Sequence, residues 1–181
     1  LTHDTSNLSI ENAHRTDVGA FLQAETFVLP VLRLSAGLRG DRVTTRNTGG
    51  YFGDRATSNG AFSGFAAGTV GPLSGLSLTA QVSRGFRDPA LSDRYFRGPS
   101  GRGFITGNPD LEPETSLQFD LSARYTLART QIGVFYYDYR IDDLIERYST
   151  QTDFFFFRNR GESHISGFEI ETRTDLGHGY T

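Results

Sequence analysis

The stretch Leu117-Gln118-Phe119-Asp120-Leu121-Ser122-Ala123-Arg124-Tyr125-Thr126-Leu127 decides the fold class. Leu117, Phe119, Leu121, Ala123, Tyr125 and Leu127 form one set, and Gln118, Asp120, Ser122, Arg124 and Thr126 the other. A period of two puts each set on one side of an extended chain, whereas a helix would scatter both around its circumference. Residues 32–39 repeat the pattern with Leu32, Leu34, Ala36 and Leu38, and residues 76–83 with Leu76, Leu78, Ala80 and Val82. Weaker strands are expected over 17–26, over 61–70, over 131–139 (aromatic on both faces), and over 168–173 with Phe168, Ile170 and Thr172 on one side. That makes about seven strands, several near the ~9–11 residues that cross a bilayer at a tilt.

Composition agrees with an all-β chain rich in turns: the 181 residues include 21 Gly, 15 Phe and 8 Tyr, and no Cys, Met or Trp. Without Cys, a disulfide scaffold, a zinc ribbon and a thiol nucleophile are excluded. A formal charge of -3 gives no general reason to expect nucleic-acid binding. The mean hydropathy is -0.39, and no run approaches the ~20 apolar residues of a membrane helix. A helical membrane protein is thereby excluded, but a membrane barrel is not, because only half of each of its strands is apolar.

Short turns are expected at Leu29-Pro30, at 71–75 and at 128–130, and long polar connections over 42–60, 88–115 and 146–153. Alternating short and long connections are the anatomy of an outer-membrane barrel, whereas a soluble sandwich has short ones at both ends. An odd number of strands whose ends lie on opposite sides, a start at Leu1 without Met or signal segment, and a turn-like end over 177–181 lead to the expectation of a wall segment of a longer protein.

The segment Gly85-Phe86-Arg87-Asp88-Pro89 precedes Gly107-Asn108-Pro109-Asp110-Leu111-Glu112-Pro113-Glu114, and a strand follows directly. Here the chain resembles the TonB-dependent receptors of Gram-negative outer membranes, whose late barrel strands carry a Gly-Phe-Arg-x-Pro turn and then a Gly-Asn-Pro-x-Leu-x-Pro-Glu loop. Glu112 stands where that family often has Lys. Phe21-Leu22-Gln23-Ala24-Glu25, Gly37-Leu38-Arg39, Tyr136-Tyr137 with Asp142-Asp143-Leu144-Ile145, Arg158-Asn159-Arg160-Gly161 and Gly167-Phe168-Glu169-Ile170-Glu171 resemble the family's strands in its own order, over nearly the whole chain.

The resemblance implies an antiparallel transmembrane β-barrel of about 22 strands. Residues 1–181 would be part of that barrel domain, with the plug domain outside this sequence. It further implies TonB-coupled uptake of a scarce ligand, such as an iron-siderophore, haem or cobalamin, with outer-membrane lipid and lipopolysaccharide as surroundings. No resident cofactor or catalytic residue is expected. His3, His14, His164 and His178 lack metal-ligand spacing. A barrel enzyme of the protease or lipase type, with Asp142-Asp143 suggesting a protease, a soluble β-barrel that binds a small molecule, and a passive channel or adhesin are the competing readings.

Two groups of site residues follow. In the motif, Gly85, Phe86, Arg87, Pro89, Asn108, Pro109, Leu111, Pro113 and Glu114 are expected to steer a long loop back into the next strand, since Pro109 and Pro113 fix φ and hold their predecessors extended. In the longest loop, Arg94, Tyr95, Phe96, Arg97, Arg102 and Phe104 combine cationic and aromatic character that suits anionic, ring-bearing cargo, or alternatively meets phosphates and neighbouring carboxylates. The run Phe154-Phe155-Phe156-Phe157 is expected to form an aromatic girdle at the outer interface.

Overall fold

A computed structural model describes residues 9–177; His3, His178 and the rest of the turn-like end beyond Gly177 lie outside the described residues. Seven long strands make an up-and-down antiparallel meander: β1 (Ala13–Leu29), β2 (Leu32–Asn47), β3 (Arg55–Leu73), β4 (Leu76–Arg87), β7 (Glu114–Leu127), β8 (Thr130–Gln151) and β9 (Phe154–Thr174). Between β4 and β7 the chain forms a short helix, α1 (Leu91–Tyr95), and a hairpin of β5 (Arg97–Ser100) and β6 (Gly103–Thr106). The sheet order is β1-β2-β3-β4-β7-β8-β9-β6-β5, with β1 and β5 at its open edges.

The three short turns stand where the sequence puts them, but two of the long connections are corrected. β2 continues to Asn47 and β3 begins at Arg55, so the loop between them is 48–54 rather than 42–60. β8 continues to Gln151, so the connection over 146–153 is a two-residue turn at Thr152 and Asp153. These strand tops are polar on both faces, which hides the alternation, yet their backbones remain paired rung by rung. With 22 residues, β8 is about twice the length that a bilayer demands.

The apolar face lies open. Leu34, Leu78 and Leu121 are 41%, 48% and 41% exposed, so they do not line a closed dry core as a soluble barrel would require. Strand tilt follows from register. One rung runs Leu22–Leu38–Gly64–Arg84–Leu117–Arg140–His164 and passes from apolar to polar along its length. The continuous apolar face reaches Val18 on β1, four residues above that rung, but only Phe168 on β9, four residues below it. A descent of eight residues over six strand intervals, at ~3.4 Å per residue and ~4.8 Å per interval, corresponds to a tilt of roughly 43°. A membrane barrel needs strands tilted by about 35–45°.

The opposite face is polar with inserted aromatics. On it stand Gln81, Asp120, Arg124, Glu169 and Arg173, with Phe135, Tyr137 and Tyr139 of β8 facing Ser122, Asp120 and Gln118 of β7. Tyr139 Oη donates to Asp120 at 3.2 Å. The tightly buried side chains lie at the loop end of this polar face, where the 88–113 segment folds over the tops of β1, β2 and β3 and covers Val43, Thr45 and Asn47.

Candidate functional site

Asp88 is the centre of the buried cluster. It follows the end of β4, and Pro89 sets the chain off in a new direction toward α1. The Asp88 carboxylate accepts a hydrogen bond from Asn59 Nδ2 at 2.5 Å and has Arg15 at 3.5 Å and Arg94 at 3.8 Å. Arg15 also donates to the Pro89 carbonyl at 3.1 Å. Arg94 is 1% exposed, and its Nη1 donates to the Pro109 carbonyl at 2.7 Å. A guanidinium so deeply buried needs a carboxylate and acceptors beside it, and Arg94 has the Asp88 charge and the Pro109 carbonyl, while its Nε and Nη2 have no hydrogen-bond partner among the described residues. Arg94 thus ties the Asp88-Pro89 corner to the Asn108-Pro109 corner.

The remaining motif residues complete the brace. Asn108 Oδ1 accepts from the Asp110 amide at 3.0 Å, closing an Asx turn, and its Nδ2 donates to the Phe157 carbonyl at 3.1 Å. Leu111 is 3% exposed. Arg87 grips Glu114 by two hydrogen bonds of 2.5 and 3.0 Å, and Glu114 accepts a third from the Ile145 amide at 2.9 Å. Partial burial pushes the Glu114 carboxyl up. The Arg87 hydrogen bond, the Ile145 amide and the Arg87 charge outweigh it, so the group titrates below the ordinary carboxylate range. A Cβ on Gly85 would lie 2.7 Å from Ser116 Oγ, so a side chain there would need that hydroxyl to turn away, and Pro113 leads directly into β7. Phe86 pairs across to Thr115.

The loop candidates divide. Arg94 and Tyr95 are inside, and Phe96 is half-buried with its carbonyl accepting from the Gly107 amide at 2.7 Å. Arg102 is exposed in the β5–β6 turn. Arg97 and Phe104 meet in a cleft of about 440 Å³, together with Glu11, Asn47, Tyr51 and Phe52. The Arg97 guanidinium lies 4.0 Å from the centre of the Tyr51 ring and 5.2 Å from that of Phe104. Tyr51, Phe52 and Asn47 are the members that sequence reasoning misses. Their signal is an aromatic pair directly after Gly49-Gly50 in an otherwise polar loop. Asn47 Nδ2 donates to the Gly49 and Gly53 carbonyls at 2.9 and 2.7 Å, which shapes that loop.

The four phenylalanines do not form an interfacial girdle. Phe157 is eleven residues above Phe168, the top of the apolar face on β9, or about 27 Å along the bilayer normal at the derived tilt. Instead Phe154, Phe155 and Phe156 pair with Phe104, Ile105 and Thr106 of β6 in a parallel ladder. Phe154 packs on Phe104 at 6.1 Å, and Arg147 lies over Phe155 at 4.9 Å. No group of three or more His, Asp or Glu able to hold a metal occurs among the described residues.

The family model described as "TonB dependent receptor-like, beta-barrel" matches residues 2–181. The chain belongs to this family. It is 31% identical over 121 residues to a hemoglobin and hemoglobin-haptoglobin-binding protein of Haemophilus influenzae, covering 60% of this chain and 11% of that protein. It is 32% identical over 130 residues to an iron-regulated outer membrane virulence protein of Vibrio cholerae, covering 70% and 18%. The fold matches the Serratia marcescens hemophore receptor HasR with a TM-score of 0.80 at 18% identity, over 96% of this chain and 34% of that one. This TonB-dependent receptor segment therefore spans 11% to 18% of the length of these curated relatives.

Proposed function

We propose that this chain is part of the wall of an outer-membrane receptor of a Gram-negative bacterium that takes up a scarce ligand with energy delivered through TonB. The observation carrying this reading is the two-faced sheet within a family-wide match: an exposed apolar face suited to lipid, a polar face suited to a wet lumen, and a tilt of roughly 43°. Relatives bear names that refer to hemoglobin, to iron regulation and to vitamin B12, and the proposed cargo is an iron-siderophore, haem or cobalamin. The Arg97–Tyr51–Phe104 cleft is the proposed contact for an anionic, ring-bearing ligand, because a guanidinium held between aromatic faces offers charge and a flat surface together. Arg102, exposed at the turn of the same hairpin, is proposed as a second cation for such a ligand.

Within the family, plug and TonB contact are supplied by other parts of the receptor. This wall segment binds and guides without transforming its ligand chemically, and Asp142-Asp143 lies within β8 rather than at a strand end. The test uses the full-length gene in an iron-starved host lacking its own receptors. Growth on haem or a ferric siderophore, or cobalamin-dependent growth, is expected to require both this gene and TonB. Growth that persists without TonB would overturn the reading in favour of a passive channel.

A further inference from the structure

The Arg158-Asn159-Arg160-Gly161 stretch of β9 lies outside the cleft, yet each of its three side chains is engaged. Arg158 and Arg160 stand on one face of the strand and both hold Glu146 of β8, at 2.6 and 3.1 Å. Asn159 alternates to the other face, toward the 88–113 segment. Its Oδ1 accepts from the Glu112 amide at 2.8 Å, and its Nδ2 donates to the Glu112 carbonyl at 2.9 Å and to the Asp143 carbonyl at 2.7 Å. Pro113 biases Glu112 toward extended geometry, and an extended residue presents its N–H and C=O to one side, as in a strand. A carboxamide carries an acceptor and a donor side by side and matches both. Asn159 therefore pairs with Glu112, 47 residues away, much as a rung of sheet would.

That pair is the last of a row. Going down β9 from its tip, Phe154, Phe155 and Phe156 pair with β6, the Phe157 carbonyl accepts from Asn108 Nδ2 at 3.1 Å, and Asn159 holds Glu112. The row leads into the cleft, because Phe156 pairs with Thr106 and Thr106 with Arg97. On the far side the Arg97 amide donates to the carbonyl of Ser9, another residue of the cleft, at 2.8 Å. Arg15 of β1 reaches the Pro89 carbonyl at 3.1 Å. The 88–113 segment is thus bonded to both β1 and β9, the strands at opposite ends of the meander. Two rungs separate Phe156 from the guanidinium that lies over Tyr51.

From this arrangement we infer that Asn159, backed by Arg158 and Arg160, is a latch that holds the 88–113 segment across the strand tops, and that Asn159 is a positioning residue for the Arg97–Tyr51–Phe104 cleft. It acts through the segment and touches no ligand. Arg158 and Arg160 clamp β9 to β8 through Glu146, so the strand that offers Asn159 is itself held on its other face. The Asn159 carboxamide then fixes Glu112, and the rungs to β6 and β5 fix Arg97. The effect on binding rests on the proposed role of the cleft, whereas the latch itself does not.

The test uses the full-length receptor in detergent, with hydrogen exchange read without ligand and binding read with haem, a ferric tris-catecholate and cyanocobalamin. Asn159→Ala is expected to speed exchange at the Arg97 amide at least about tenfold, and not only at the Glu112 amide beside the substitution. Affinity for the probe that wild type binds is expected to fall at least about fivefold. A disulfide between Ile105→Cys and Phe155→Cys, added to Asn159→Ala, is expected to restore both, and its reduction to lose them again. Should Asn159→Ala not assemble, Asn108→Asp keeps the Asx turn, loses the bond to Phe157 and is expected to act in the same direction. Faster exchange confined to Glu112 would overturn the latch. An affinity unchanged in Asn159→Ala, or one that stays low while the disulfide restores protection at Arg97, would overturn the positioning role. If wild type bound none of the three probes, the cargo reading would fail alone, because exchange at Arg97 decides the latch without ligand.

Discussion

Arg94 shows how far the role of a residue depends on where its loop folds. By residue type it is a ligand candidate, and by position it is a tie between two proline corners, 1% exposed and bonded to the Pro109 carbonyl. Replacing Arg94 with Met is expected to loosen the loop by roughly 2–3 kcal/mol, less than for most broken buried pairs because Asp88 keeps Arg15 and Asn59. Faster hydrogen exchange at the Gly107, Asn108 and Leu111 amides, with the transmembrane rungs unchanged, is the expected readout. Glu114 has a pH signature of its own. Its carboxyl titrates below its ordinary value of 4.5 in the folded chain, so its contribution is fully present above that value and is lost as pH falls through the lowered one. Acidification below about pH 4.5 is expected to release the Arg87 clamp, seen as exchange at the Ile145 amide, and Glu114→Gln is expected to abolish that pH dependence.

At the scale of elements, the β5–β6 hairpin is held to the top of β9 by three parallel rungs. Gly103 is the position on which this depends. Its φ is +130°, and a Cβ there would run into the Asp153 backbone. Gly103→Ala is expected to cost more than about 1 kcal/mol locally and to undock the hairpin. A cysteine pair at Ile105 and Phe155 is expected to crosslink readily in the parent and poorly in the variant. The same docking explains the phenylalanine run, whose partners come from a loop fifty residues earlier, a contact that has no trace in local periodicity.

The whole molecule is organised by its two faces. Leu121→Arg places a charge on the lipid side and is expected to cost about 2–4 kcal/mol of bilayer insertion, whereas Ser122→Arg, one residue along on the polar side, is expected to leave insertion unchanged. Folding of the full-length receptor into vesicles of fixed thickness measures both. If both variants inserted alike, the assignment of faces would be wrong. The diagonal descent of the apolar face also requires that neighbouring strands be staggered, so the band is level in the membrane only because the strands are tilted.

The alternation of 117–127 and of the two other clean strands sufficed for the strand class and the apolar face, because side-chain period is a property of the local backbone. The turn at Asn108-Pro109 was legible too, since proline and Asx-turn chemistry acts within a few positions. Tertiary structure alone decided the rest. It extended β2, β3 and β8 through tops that are polar on both faces, where pairing rather than periodicity holds the strand. It buried Arg94 while leaving Arg97 in a cleft with Tyr51 and Phe104, because burial depends on which distant segments fold over a loop.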